Sequence, residues 1–177
     1  TVLDSFRLDR LMSRGLTGEL YQAHNLVAGK PCVVKVFHLA LPLGPVAMGR
    51  YMHENQEAVA LGISGVAEVL STGFANGRHY AVMEGVAGEA LRMTVRQGAP
   101  LNRRYYLPVL RAICSTLAPL HAQGLFHGHL HGGQVLVRWQ EGEEPEVTLL
   151  DLGLRHLLPG AKEPVPDWDR RPEHIVY

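Results

Sequence analysis

The chain has 177 residues, 17 basic against 17 acidic side chains, a formal net charge of zero, and 46% hydrophobic residues. That is enough apolar material for one compact domain or a two-lobed fragment, and the balanced charge excludes bulk attraction to nucleic acid or to a membrane surface. Its two cysteines, Cys32 and Cys114, are too few for a disulfide framework and lack metal-type spacing, so the expected compartment is cytoplasmic, and no run reaches the roughly 20 apolar residues of a spanning helix.

In chain order, Leu8 to Met12, Glu19 to His24 and Cys32 to Phe37 read as three strands, joined by the Gly-containing turn Ser13 to Gly18 and the turn Ala28 to Pro31. A glycine hairpin tip lets backbone N–H groups approach a phosphate with no Cβ in the way. Lys35 stands among Val33, Val34, Val36 and Phe37, and a cation on an interior strand needs a counter-charge. The next segment offers one. From about Pro45 to Leu61 a helical spacing puts Ala47, Tyr51, Glu54, Ala58 and Leu61 on one face. Glu54 is the only charge in that stripe, which predicts a Lys35–Glu54 pair. Glu57 falls on a more solvated face.

Val66 to Ser71 and Arg78 to Met83 read as two more strands around an Asn76-Gly77 hairpin. A Gly-rich linker follows from Met83 to Leu91. Asn102 to Gln123 is the longest helical pattern, with Leu107, Leu110, Ile113 or Cys114, Leu117 and Leu120 as its buried stripe, Asn102 as its cap and Gly124 at its end. Pro119 predicts a kink or an early stop, and His121 is expected to pack near the loop that follows.

That loop is the most informative stretch: His127 to Val137, then Val147 to Gly153. A loop rich in Gly and His held between two short strands is where catalytic groups tend to sit. His127, His129 and His131 alternate, which in a regular strand would present zinc ligands on one face; a loop is the better reading here.

His127, Leu130 and Asp151 resemble the H-R-D-L-x-x-x-N and D-F-G motifs of protein kinases. The resemblance extends over nearly the whole chain: Gly15 and Gly18 match two of the three glycines of the phosphate loop, Lys35 and Glu54 match the strand-lysine and helix-glutamate pair, Met83 falls at the gatekeeper and Glu84 to Val86 at the hinge, and Arg171-Pro172-Glu173 resembles the end of an activation segment. It implies a two-lobed α+β fold of the bacterial Ser/Thr kinase type, with a five-stranded antiparallel N-lobe and one main helix over 1–86, and a partial helical C-lobe over 87–177. It also implies a nucleotide site built from Gly15, Gly18, Leu20, Val33, Lys35, Glu54, Glu84, Val86 and Leu136, with Asp151 and Gln134 toward magnesium.

The departures decide the functional expectation. The family's catalytic Asp falls on His129, its metal-binding Asn on Gln134, and its loop Arg on Gly128. From Asp151 to Glu173 there is no Ser, Thr or Tyr, so that segment has no hydroxyl to phosphorylate. Together these imply a pseudokinase with a regulatory or scaffolding role, and no confidently assigned catalytic residue. ATP with magnesium is one expectation for its cleft; a closed, empty slot is the other, because Val33 and Leu20 narrow the roof. The alternative function is a weak or atypical Ser/Thr protein kinase using His129 as a base near its usual pKa of about 6.5. The chain starts at Thr1 and stops soon after the Pro-Glu motif, which suggests a piece of a longer protein and a partner, or a second copy, on the face left by the later C-lobe helices.

Overall fold

The computed structural model describes residues 1–39, 41, 43–96 and 103–158. Asn102 and the Arg171-Pro172-Glu173 motif lie outside them.

Six antiparallel strands form the first sheet: β1 (Val2–Leu3), β2 (Phe6–Arg14), β3 (Gly18–Asn25), β4 (Lys30–Phe37), β5 (Val69–Ala75) and β6 (Arg78–Met83), in the order β1-β2-β3-β4-β6-β5. Five were expected. The sixth arises because Asp4 adopts φ 51° and turns Val2–Leu3 back onto Phe6 and Arg7. Its carboxylate accepts a 2.7 Å bond from the Tyr80 hydroxyl, whose pKa burial, first, and that bond push up to about 12. Turn chemistry sets the other connections: Asn25 Oδ1 accepts from the N–H groups of Val27 and Ala28, and Asn76-Gly77 takes positive φ at both residues, the two-residue hairpin geometry.

Helix α1 (Pro45–Ala60) packs beside the sheet with Met48, Tyr51, Glu54, Asn55 and Ala58 buried. Leu61, expected in that stripe, is exposed, and Asn55 takes a buried place the apolar pattern did not reveal. After β7 (Glu89–Ala90) and α2 (Leu91–Arg96), the long helix α3 (Arg103–Ala122) continues through Pro119 to Ala122, so of the expected kink or early stop the stop does not occur. Pro119 sits in the final turn, where only one intrahelical bond is forfeited and the N–H groups of Gly124 and Leu125 close the end on His121 and Leu120 carbonyls. The α3 stripe is rotated from expectation: Val109, Ile113, Thr116, Leu117 and Leu120 are buried, whereas Leu107, Leu110 and Cys114 are exposed.

A small sheet of β7, β8 (Val135–Arg138) and β9 (Glu146–Leu149) then carries the chain into the turn Leu154–Leu157. Its core joins α3 through Val109, Leu120, Val135, Val137, Leu149 and Leu152. The backbone links Ala67 N–H to Leu149 O and Leu149 N–H to Gly65 O tie β9 to the approach to β5. No helix among the described residues is long and apolar enough to cross a membrane.

Candidate nucleotide-type cleft

Each wall of the cleft follows from local chemistry. The turn between β2 and β3 folds onto the start of the sheet because Gly18 pairs with Phe37; a Cβ on Gly18 would lie 2.3 Å from the Val36 carbonyl oxygen, so only glycine fits. The His38 ring meets the Gly15 carbonyl at 2.9 Å, which fixes that ring nitrogen as the donor, and the Gly15 N–H donates to Gly18 O. On the opposite wall the loop 127–134 is held by backbone bonds from Gln134 to His131 O, Leu150 to Gln134 O and Arg92 to Gly132 O.

His127 is buried and donates from Nε2 to the Leu150 carbonyl at 2.8 Å. That bond fixes the Nε2–H tautomer and leaves Nδ1 buried without a partner. Burial holds its pKa below the usual histidine value. His121 stacks on Phe126 with ring centroids 5.2 Å apart, beside the loop as expected, and its pKa is lowered by burial.

The charged centre differs from the expected one. Lys35 Nζ lies 2.5 Å from Asp151 Oδ2, and both residues are 6% exposed. Gln134 Nε2 donates to the same oxygen at 2.7 Å. Glu54 does not pair with Lys35: its Oε1 takes the Arg155 guanidinium and, at 2.8 Å, His156 Nε2, both from the turn that follows Asp151. The physical reason is competition. The Arg155 guanidinium and the His156 ring offer Glu54 hydrogen bonds in a part-buried pocket, the first of them charge-assisted, while Lys35 is satisfied by the Asp151 carboxylate. Asn55 reinforces this arrangement by donating to Tyr51 O at 2.8 Å and to Leu152 O at 2.7 Å, so α1 is pinned to the turn after Asp151. The Tyr51 hydroxyl is buried without a partner, and burial, then the Asp151 charge, push its pKa up.

A cavity of about 390 Å³ opens between the walls. It is lined by Gly15, Gly18, Leu20, Lys35, Met83, His129, Gln134 and Asp151 among the expected residues, and by Arg14, Thr17, Arg92, His131 and Leu150 besides. Val33, Glu84, Val86, Leu136 and Glu54 fall outside the lining. At the hinge, the Glu84 N–H is already given to Glu68 O, and Gly88 sits against Leu136 and Val137 so closely that a Cβ would come within 3.2 Å of either. The cavity therefore lies at the lysine and loop end of the cleft, not at the hinge.

Gln134 presents its amide nitrogen to Asp151, and the buried Asp151 Oδ1 is the carboxylate oxygen left without a partner. Among the described residues no group of three or more His, Cys, Asp or Glu is arranged to hold a metal. His129 and His131 face each other edge to face at 5.1 Å and do not converge as ligands.

Comparison with known proteins places this geometry. No protein-family model matches the chain. It is 29% identical over 153 residues to the serine/threonine-protein kinase Pkn1 of Myxococcus xanthus, covering 86% of this chain and 22% of that protein, and 28% identical over 166 residues to PknA of Mycobacterium tuberculosis, covering 91% and 38%. The chain thus spans well under half the length of these relatives. Among solved structures, the kinase domain of M. tuberculosis PknI superposes with a TM-score of 0.68 at 22% identity, covering 86% of this chain and 60% of that one, and a double mutant of it gives 0.70 at 18%, covering 87% and 62%. The order of strands, helix, linker, long helix, His127 loop and Asp151 turn is therefore a protein kinase-like fold, and the chain's relatives are bacterial serine/threonine-protein kinases.

Proposed function

We propose that this chain is a cytoplasmic pseudokinase domain that regulates or scaffolds by binding rather than by transferring phosphate. The observation that carries the reading is His129, half-buried on the cavity wall at the position where the family resemblance expects an acidic residue. In kinases the residue at this position is an anion that orients the substrate hydroxyl beside the metal-bound phosphates; an imidazole on this wall, with Arg92 on the same lining, does not supply that negative charge. Two further features support it. Glu54 is engaged by Arg155 and His156, so Lys35 lacks the orienting glutamate that phosphoryl transfer calls on. Gly128 has φ 67°, a left-handed backbone that costs any residue with a Cβ, and a Cβ there would lie 2.6 Å from Arg155 Cδ, so the arginine of the kinase motif would be strained here and would displace the Arg155 side chain.

The binding partner is a protein that covers the outer face of α3, where Leu107 and Leu110 are 39% and 49% exposed. Weak phosphotransfer is the second reading, favoured by the retained Lys35–Asp151 pair. Incubation with radiolabelled ATP and generic protein acceptors, beside Asp151→Ala, separates the two. No incorporation above the Asp151→Ala level is expected; incorporation that this variant abolishes would overturn the pseudokinase reading.

A further inference from the structure

The cavity lining holds more donors of positive character than a magnesium–nucleotide site calls for. Among the described residues Asp151 is its only carboxylate, already matched by Lys35. Arg92 pairs with no carboxylate among the described residues, and its stem lies along Gly132 and Gly133: a Cβ on Gly132 would meet Arg92 Cβ at 3.5 Å, and one on Gly133 would meet Arg92 Cδ at 3.3 Å. The paired glycines thus give the arginine its place on the wall. The Gly133 N–H donates to His131 Nδ1 at 3.0 Å, so His131 carries its proton on Nε2 and keeps that donor for a ligand. Burial, first, and then the His129 ring and Arg92 lower the His131 pKa, against a smaller opposing pull from Asp151. Arg14 also lines the cavity, though Glu19 holds it at 3.0 Å.

A cation, by contrast, finds little. Magnesium takes oxygen ligands in near-octahedral geometry, and here Asp151 Oδ2 already accepts from two donors while Gln134 turns its nitrogen inward. The large apolar residues of the lining are Leu16, Leu20, Met83 and Leu150, and Glu84 and Val86 of the hinge lie outside it.

We propose that the cavity binds a phosphoanion, either the phosphate chain of a nucleotide or an inorganic polyphosphate, through Lys35, Arg92 and His131 without a divalent cation, and that a purine base adds little. The proposal rests on the reading of this cleft as a binding site; phosphate transfer tests that reading and leaves this one untouched.

The experiment is isothermal titration of the protein with ATP, tripolyphosphate and adenosine, each in EDTA and in excess magnesium. ATP and tripolyphosphate are expected to bind in EDTA with affinities within about threefold of each other, magnesium to weaken both several-fold by neutralising the phosphate charge, and adenosine not to bind at millimolar concentration. Arg92→Gln, on a largely exposed side chain, is expected to keep the unliganded melting temperature and to lose about tenfold in affinity for both anions, the scale of one charge-assisted contact. Binding that requires magnesium, adenosine binding as well as ATP, unchanged affinity in Arg92→Gln, or no binding of either anion would each overturn the proposal.

Discussion

Lys35 should be coupled energetically to Asp151 and not to Glu54. Lys35→Met replaces the ammonium with an apolar group of similar length. It leaves Asp151 with one amide donor on Oδ2 and none on Oδ1, in a residue 6% exposed. Breaking one side of so buried a pair costs roughly 3–5 kcal/mol, most of it the penalty of the stranded carboxylate. Asp151→Asn is the suitable partner change, because Asp151 sits at φ 61° and asparagine tolerates that left-handed backbone. In the double variant no charge is stranded, so the coupling between the two positions should reach about 2 kcal/mol or more. Glu54→Gln in the same Lys35→Met background should add to within about 0.5 kcal/mol, the behaviour of positions that share no partner. Urea unfolding with a common slope supplies each value. A Lys35–Glu54 coupling larger than the Lys35–Asp151 coupling would refute the exchange of partners described above.

Glu54→Ala should cost roughly 2 kcal/mol, between the exposed and buried limits for ion pairs, because Arg155 is partly solvated; Arg155→Ala should recover little of it, and a Glu54→Ala variant as stable as the parent would count against the bonds from Arg155 and His156 to Glu54 as what pins α1 to the turn after Asp151. His127 is held neutral by burial, so its folded pKa lies below the unfolded value; the unfolded chain then binds more protons as pH falls through about 6.5, and stability present above that pH is lost below it. Melting temperature should therefore fall from pH 7.5 to 5.5 more steeply in the parent than in His127→Gln, and parallel curves would contradict the assignment. Gly128→Arg should destabilise by at least about 1–2 kcal/mol through its left-handed backbone and should not confer activity. With no other partner supplied, light scattering after size exclusion should find residues 1–177 self-associated through α3, with Leu107→Glu and Leu110→Glu together returning them to monomer; a parent that stays monomeric at high concentration would rule out a second copy as the protein that covers this face.

The strand pattern, the Asn76-Gly77 turn, α1, α3 and the Asp151 turn were legible because period-two and period-3.6 spacing and turn residues are local signals. What was not legible is which charge meets which. Lys35 and Glu54 were a sound pair by sequence, but Arg155 and His156, which follow Asp151-Leu152-Gly153 after Leu154, were the competing signal, and their approach to α1 depends on a tertiary turn. Asn55 was hidden for a similar reason: a buried amide that bonds backbone carbonyls of two segments leaves no periodic trace. In α3 the expected Ile113, Leu117 and Leu120 are buried, but Leu107 and Leu110 look as apolar as Val109, and only the small sheet packed against the helix decides which edge of the stripe is covered. Arg92 was missed because a single arginine after a linker carries no pattern; the glycine pair Gly132-Gly133 that accommodates it was visible only as loop composition.

The central claim is that a kinase-like cleft with His129 on its wall binds without transferring phosphate. Its most direct test is the initial rate of γ-phosphate loss from ATP, to protein or to water, in the parent and in Asp151→Ala at millimolar ATP with magnesium. The account predicts two indistinguishable background rates. A parent rate well above background that Asp151→Ala abolishes would contradict it.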